Sequence, residues 1–252
     1  MPDDLALAAD LVRAAGDLAA AMRREGLAVE RKTSVTDVVS AADHAAEQLI
    51  VDRLRAERPD DAILGEEGTA DAGRGRTWYL DPVDGTYNFV SGLPYWCAAL
   101  ALADGRDDPV LGAVYDPNAD ELWLGGRAAP ATCNGQRLPP LADRPLADVS
   151  LSTYLHPATL PDATLREPLL RAMGAAATVR MMGCGSLEFA AVAAGRLGAS
   201  LQANSAPWDW LPGAALVRAA GGVARVVESG GHRWHVVGPP RVVDELTALI
   251  SG

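Results

Sequence analysis

The chain opens on a helical rhythm. Leu7, Leu11, Leu18 and Met22 recur near helical spacing among alanines, which predicts an amphipathic helix over residues 4–25, closed at Gly26. The polar stretch from Glu30 to Asp37 predicts a loop or hairpin. Ser40 with Asp43 three residues on reads as a capping box with Asp in the Glu role. It starts a second helix running to about Glu57, with Ala46, Leu49, Ile50 and Leu54 on the inner face. After the turn at Pro59-Asp60-Asp61 the rhythm changes. Ala62-Ile63-Leu64 is a short apolar strand closed by Gly65-Glu66-Glu67-Gly68, and residues 69–76, rich in Gly, Ala and charge, read as a mobile loop.

Strand-like runs follow. Cys97–Ala103, Val110–Tyr115 and Glu121–Leu124 are separated by Asp104-Gly105 and Asp116-Pro117-Asn118, and Asn134-Gly135 is a hairpin signal. The pattern predicts an antiparallel meander, not an alternating strand–helix–strand series. Residues 139–145, with Pro139, Pro140 and Pro145, are the best linker candidate. Beyond them, strands are expected at 149–154, 179–182, 199–201, 223–227 and 234–237. Helices are expected at 165–173, in an Ala-rich run ending near Ala194, from Trp208-Asp209 to Gly221-Gly222, and at 242–250.

Chemistry concentrates in Trp78–Phe89. An apolar run reads there as a buried strand that Pro82 stops. At strand spacing Asp81 and Asp84 face opposite ways, but a tight turn after the strand lets both carboxylates converge. Converging carboxylates repel unless a cation lies between them, and a hard cation such as Mg2+ is the natural guest. Gly85 lets the backbone approach a ligand, Thr86 can cap a helix start, and N–H groups at a helix start bind phosphate. Taken alone, the stretch also fits an ordinary Asp-Pro, Asp-Gly surface turn. Two distant acids weigh against that. Glu66 follows an apolar strand, and Asp209 lies between Trp208 and Trp210 ahead of a helix, as cap, ligand or both.

Composition narrows the classes. The 252 residues suffice for one large domain or two small ones, and 49% hydrophobic with 22% charged residues is ordinary for a globular protein. A net charge of −11 argues against a nucleic-acid partner. It leaves a small phosphate substrate open, because bound metal ions reverse the sign locally. Cys97, Cys133 and Cys184 are scattered without metal-ligand spacing and read as reduced thiols. No leader pattern and no run of membrane-spanning length is seen, so a cytoplasmic, soluble protein with no membrane partner is expected. His44, His156, His232 and His235 are scattered, with the last two expected on the surface beside a Gly-rich turn, and Met181-Met182 is expected in the core.

Gly65-Glu66-Glu67, the run Asp81–Phe89, and Trp208-Asp209 followed by Ala219-Ala220-Gly221-Gly222 resemble the inositol monophosphatase family. These are Mg2+-dependent, lithium-sensitive phosphomonoesterases. The motifs stand in the family's order and approximate spacing and span almost the whole chain. The resemblance implies an α+β fold, a layered αβαβα sandwich of the inositol monophosphatase and fructose-1,6-bisphosphatase type. Residues 1–140 would carry most metal ligands, and residues 141–252 would carry Asp209 and the substrate-recognition surface.

It also implies roles. Glu66, Asp81 and the Val83 carbonyl would hold a first metal, and Asp81, Asp84 and Asp209 a second. Glu66 would help hold a third ion; Mg2+ is implied, with Mn2+ as a substitute. The Gly85 and Thr86 amides would face the phosphate. Thr86 with Asp43 would orient and deprotonate the attacking water, and Lys32 matches a family lysine near the metals. Cys184, in Gly183-Cys184-Gly185-Ser186, would lie near the organic part of the substrate. One position departs: members that hydrolyse inositol phosphates usually carry a glutamate seven residues before the Trp-Asp aspartate, and here that residue is Gln202. Gln still hydrogen-bonds a hydroxyl but brings no charge.

The expected function is therefore hydrolysis of a small polyol phosphate, inositol 1-phosphate first, by a homodimer. Histidinol phosphate, fructose 1,6-bisphosphate or another sugar phosphate, NADP and 3′-phosphoadenosine 5′-phosphate are alternatives under the same chemistry. The rival is a non-catalytic regulatory member, which should have lost one of Glu66, Asp81, Asp84, Thr86 or Asp209. All are present.

Overall fold

A computed structural model of the chain describes residues 2–26, 29–31, 38–104 and 108–252. Lys32 lies outside the described residues. The opening rhythm forms α1 (Pro2–Glu25), with Asp3 and Asp4 in its first turn and Arg23 and Arg24 in its last, each complementing the helix dipole. Strands β1 (Val29–Arg31) and β2 (Val38–Ser40) pair antiparallel, as the arms of the expected hairpin, and lead into α2 (Ala41–Glu57).

The larger sheet is built from β3 (Ala62–Gly65), β4 (Ala70–Asp71), β5 (Thr77–Asp84), β6 (Cys97–Ala103), β7 (Pro109–Asp116), β8 (Glu121–Gly126), β9 (Ala129–Cys133) and β10 (Gln136–Arg137). Its order is β10-β9-β8-β7-β6-β5-β3-β4. From β5 to β10 it is the expected meander, while β3 runs parallel to β5. Residues 69–76, expected as loop, contribute the short edge strand β4. The five-residue helix α3 (Thr86–Val90) follows β5.

The smaller sheet contains β11 (Ser150–Thr153), β12 (Thr178–Arg180), β13 (Ala199–Ala203), β14 (Val223–Ser229) and β15 (His232–Gly238), ordered β12-β11-β13-β15-β14. The first three strands in that order are parallel; β15 is antiparallel to both its neighbours. Its helices are α4 (Ala163–Ala175), α5 (Gly185–Ala193), α6 (Pro207–Ala219) and α7 (Pro240–Ser251). The Pro-rich residues 139–145 connect the two sheets without regular structure.

The layers follow from which faces are apolar. α1 and α2 cover one face of the larger sheet, burying Leu7, Leu11, Ile50 and Leu54 against Trp78, Leu80 and Leu100. α5 and α6 fill the space between the sheets, and α4 and α7 close the outer face of the smaller one. The result is the expected αβαβα sandwich. A helix between two sheets must be apolar on every side, and α6 is buried without interruption from Trp210 to Val217. It also approaches its neighbours closely: a Cβ on Gly213 would stand 2.2 Å from the Phe189 Cβ. The Phe189 and Trp210 rings meet edge to face at 5.7 Å.

One expectation fails here. His235 is buried, with its ring 4.8 Å from that of Trp210. β15 lies between β13 and β14 with helices on both sides, so its residues are covered regardless of the nearby Gly-rich turn. His232, expected exposed as well, is half-buried and meets the Thr164 hydroxyl at 2.9 Å.

Candidate active site

The two aspartates of the central motif converge by a different device from the one expected. β5 does not stop at Pro82; it continues to Asp84. On β6, Asp81 pairs with Ala99 and Asp84 with Cys97, so three steps along β5 match two along β6. This extra residue is a β-bulge, and it shifts the in–out alternation by one. Asp81 and Asp84 therefore reach the same cavity. A bulge also tolerates Pro82, which has no N–H to give to the ladder.

Glu66 arrives from the parallel neighbour. Gly65 on β3 pairs with Leu80, and the Glu66 N–H donates to the Leu80 carbonyl at 3.2 Å, which puts Glu66 beside Asp81. Buried Glu47 on α2 holds this turn, accepting from the Glu67 N–H (2.9 Å), the Thr69 N–H (3.1 Å) and the Thr69 hydroxyl (2.7 Å). Asp209 comes from α6. It is not the helix cap, because α6 already starts at Pro207, with Ala206 as cap. Proline is preorganised for the first helical position, so the helix begins two residues before Asp209 and carries it in its first turn.

Gly85 caps α3 with φ 90°, in the left-handed region. Thr86 is the first helical residue and not the cap. Its hydroxyl lies 3.0 Å from the Val83 carbonyl and 3.3 Å from Asp43 Oδ1, both acceptors. A Cβ at residue 85 would meet Cys184 Cβ and the Tyr95 carbonyl, each at 3.1 Å. Gly85→Ala is therefore expected to cost about 1–2 kcal/mol from φ alone. Thermal unfolding of the variant checks this figure.

The cavity encloses about 570 Å³. Glu66, Asp81, Asp84, Gly85, Thr86 and Asp209 line it together with Tyr154, Met181, Met182, Cys184 and Gln202. Its electrostatics are strained. Burial pushes the Asp81 carboxyl well above the ordinary range, and the charges of Glu66, Asp84 and Asp209 push it further. Burial raises Asp209 in the same way, followed by the charges of Asp84 and Glu66. Asp84 is raised by burial, against the N–H groups of Ser186 (2.6 Å) and Gly185 (3.2 Å) that favour its charged form. Among the described residues, none lining this cavity is Lys or Arg. Four carboxylates lining one cavity form a set of hard oxygen donors that fits a divalent cation. The Val83 carbonyl, approached by the Thr86 hydroxyl at 3.0 Å, is a neutral oxygen on the same turn.

The other candidates fall as follows. Gln202 is on the wall, with its Oε1 accepting from the Ser205 hydroxyl at 3.1 Å. Cys184 is buried and lines the cavity. Met181 and Met182 are not core: both line the cavity and Met181 is 48% exposed, because β12 ends at Arg180 and the chain leaves the sheet there.

Sequence reading missed the residues that brace the walls. Asn88 Nδ2 donates to the Tyr95 (2.8 Å) and Met182 (2.7 Å) carbonyls, tying α3 to the loop before α5. Glu188 accepts from the Met182 (3.0 Å) and Gly183 (3.2 Å) N–H groups, and burial pushes its carboxyl up to about 7. A signal existed for Glu47. It follows Asp43 by four residues, so two acids share the face of α2 that also carries apolar residues.

An αβαβα sandwich whose acids gather from the larger sheet and the interlayer helix around one cavity defines a narrow class of proteins. The chain belongs to the inositol monophosphatase family, whose model matches residues 3–248. Members of this family are generally metal-dependent. The chain is 37% identical over 199 residues to the inositol-1-monophosphatase of Rhizobium meliloti, covering 77% of this chain and 74% of that protein. It is 34% identical over 254 residues to the Nus factor SuhB of Escherichia coli K12, covering 97% and 94%. Among solved structures, the extragenic suppressor protein suhB of Bartonella henselae superposes with a TM-score of 0.88 at 28% identity, over 98% of both chains.

Proposed function

We propose that the chain is a Mg2+-dependent phosphomonoesterase acting on a small polyol phosphate, with inositol 1-phosphate the leading substrate. The observation that carries this reading is that Glu66, Asp81, Asp84 and Asp209 line one cavity together with the Gly85–Thr86 turn. On this reading Glu66, Asp81 and the Val83 carbonyl hold one ion, Asp81, Asp84 and Asp209 a second, and Glu66 contributes to a third. Residues 1–140 then supply every ligand except Asp209, and residues 141–252 supply Asp209 and the walls that read the alcohol.

Bound Mg2+ would neutralise the phosphate charge, make water more acidic and stabilise the leaving oxygen. The chain's own groups do the positioning. The Gly85 and Thr86 amides face the phosphate. The Thr86 hydroxyl, donating to Asp43, keeps lone pairs free to accept from the attacking water. Asp43 is buried, so Thr86 is aimed by a group that does not wander. Lys32 belongs to this set by resemblance only.

Substrate choice rests on Gln202. An uncharged amide beside Gly185 suits a hydroxyl as donor or acceptor, and a glutamate there would accept only. Gln202→Glu is expected to raise kcat/KM for inositol 1-phosphate by about tenfold, the worth of one charged hydrogen bond over a neutral one. An unchanged substrate profile would remove Gln202 from the recognition surface. The broader test is phosphate release with Mg2+ from inositol 1-phosphate, fructose 1,6-bisphosphate, histidinol phosphate, NADP and 3′-phosphoadenosine 5′-phosphate. Preference for the first supports the reading; preference for another keeps the chemistry and changes the substrate.

The relatives named Nus factor give the regulatory reading its one supporting observation. The complete acid set weighs against it. Mg2+ binding without turnover on the whole panel would favour it.

A further inference from the structure

Next to Asp84 lie two buried thiols to which the phosphatase reading gives no metal role: Cys184, which lines the cavity, and Cys97, which does not. Cys97 Sγ and Cys184 Sγ lie 3.6 Å apart, and both thiols are free. With a carboxylate oxygen of Asp84 they form a trio whose ligand atoms all lie within 4.8 Å of one another, and all three residues are buried. Three separate parts of the fold bring them together. Cys97 pairs with Asp84 across the β5–β6 ladder just past the bulge, and Cys184 caps α5, whose first amides bond Asp84.

The spacing is that of a thiophilic metal site. Two thiolates on one tetrahedral zinc, with Zn–S of about 2.3 Å, stand about 3.8 Å apart. The observed sulfurs are close to that distance without any rearrangement. Thiolate pairs select zinc- and cadmium-like cations and are poor ligands for Mg2+. Asp84 and Cys184 both line the cavity, so the fourth position opens towards it.

The geometry points to a soft-cation site made of Cys97, Cys184 and Asp84, which takes Zn2+ or Cd2+ and inhibits the enzyme. Each thiol gives its proton to solvent as the cation binds, forming two metal–sulfur bonds. Occupancy draws on an Asp84 oxygen that the proposed Mg2+ site also uses. The binding claim stands on the three side chains alone; the inhibition claim rests on the proposed Mg2+ chemistry.

The test titrates the reduced, chelator-treated full chain with Cd2+ and follows the ultraviolet sulfur-to-cadmium charge-transfer band, which carboxylates cannot produce. The expected result is saturation at one equivalent, with affinity lowered tenfold or more in Cys97→Ser and in Cys184→Ser, and unchanged in Cys133→Ser. Circular dichroism confirms that each variant is folded; a variant that is not is replaced by Cys→Ala at the same position. No band, or a band indifferent to Cys97 or dependent on Cys133, overturns the site. Phosphate release supplies the second readout. Cys97→Ser should keep its Mg2+-supported rate and need at least tenfold more Zn2+ for half-inhibition. Equal Zn2+ sensitivity in both proteins overturns the inhibitory role. If the chain hydrolyses none of the phosphate esters, the Cd2+ band still decides the site.

Discussion

Asp84→Asn is expected to cut Mg2+-dependent phosphate release by about a thousandfold or more while leaving the protein folded. A ligand that offsets transition-state charge contributes several kcal/mol, and about 4 kcal/mol corresponds to about a thousandfold in rate. The amide has the shape of the carboxylate, so the bulge and its packing need not change. It does lose one acceptor: the side chain takes N–H groups from both Gly185 and Ser186, and one of these would face an NH2 group. That costs on the order of 1 kcal/mol. Removing a buried charge from a cluster that already raises Asp81 and Asp209 offsets it. Unfolding curves should therefore nearly coincide with wild type in the absence of metal. Wild-type-like turnover in Asp84→Asn would rule out the metal assignment.

The second large effect is on stability. Saturating Mg2+ is expected to raise the unfolding temperature by about 5–10 °C. A ligand at about a hundred times its Kd stabilises by about 2.7 kcal/mol, and each kcal/mol shifts a chain of this size by about 2–4 °C. The effect should grow with pH, and the sign follows from the carboxyls. Burial and then their neighbours raise Asp81 and Asp209 above the ordinary value of 3.8. A carboxyl raised in the folded state favours folding fully below its unfolded value, and that contribution is lost as pH climbs through the folded one. The metal-free protein is thus penalised by these groups towards neutral pH, where a cation relieves the penalty. Differential scanning fluorimetry with and without Mg2+ across pH measures it. A shift independent of pH, or one that survives in Asp84→Asn and Asp209→Asn, would contradict the account.

Much of this was legible in the residues. The three acidic motifs located the cavity wall, and the meander from Cys97 onward gave most of the larger sheet. What escaped was non-local. Pro82 reads as a strand stop, but whether a proline ends a strand or occupies a bulge depends on the partner strand, and only the β6 register reveals the extra residue. Asp209 reads as a cap because nothing local shows that Pro207 has already started α6. His235 and Met181 changed places between surface and core because burial was set by distant helices and by where β12 ends. The Cys97–Cys184 contact joins residues 87 positions apart and has no local signature.

The most direct test of the central claim is phosphate release from inositol 1-phosphate by the full chain as Mg2+ is titrated from chelator-treated protein. The account predicts no release without metal, a rate that saturates with added Mg2+, and loss of that rate in Asp84→Asn. Release that is indifferent to metal, or none at all while Mg2+ binding is seen in the unfolding temperature, would contradict it.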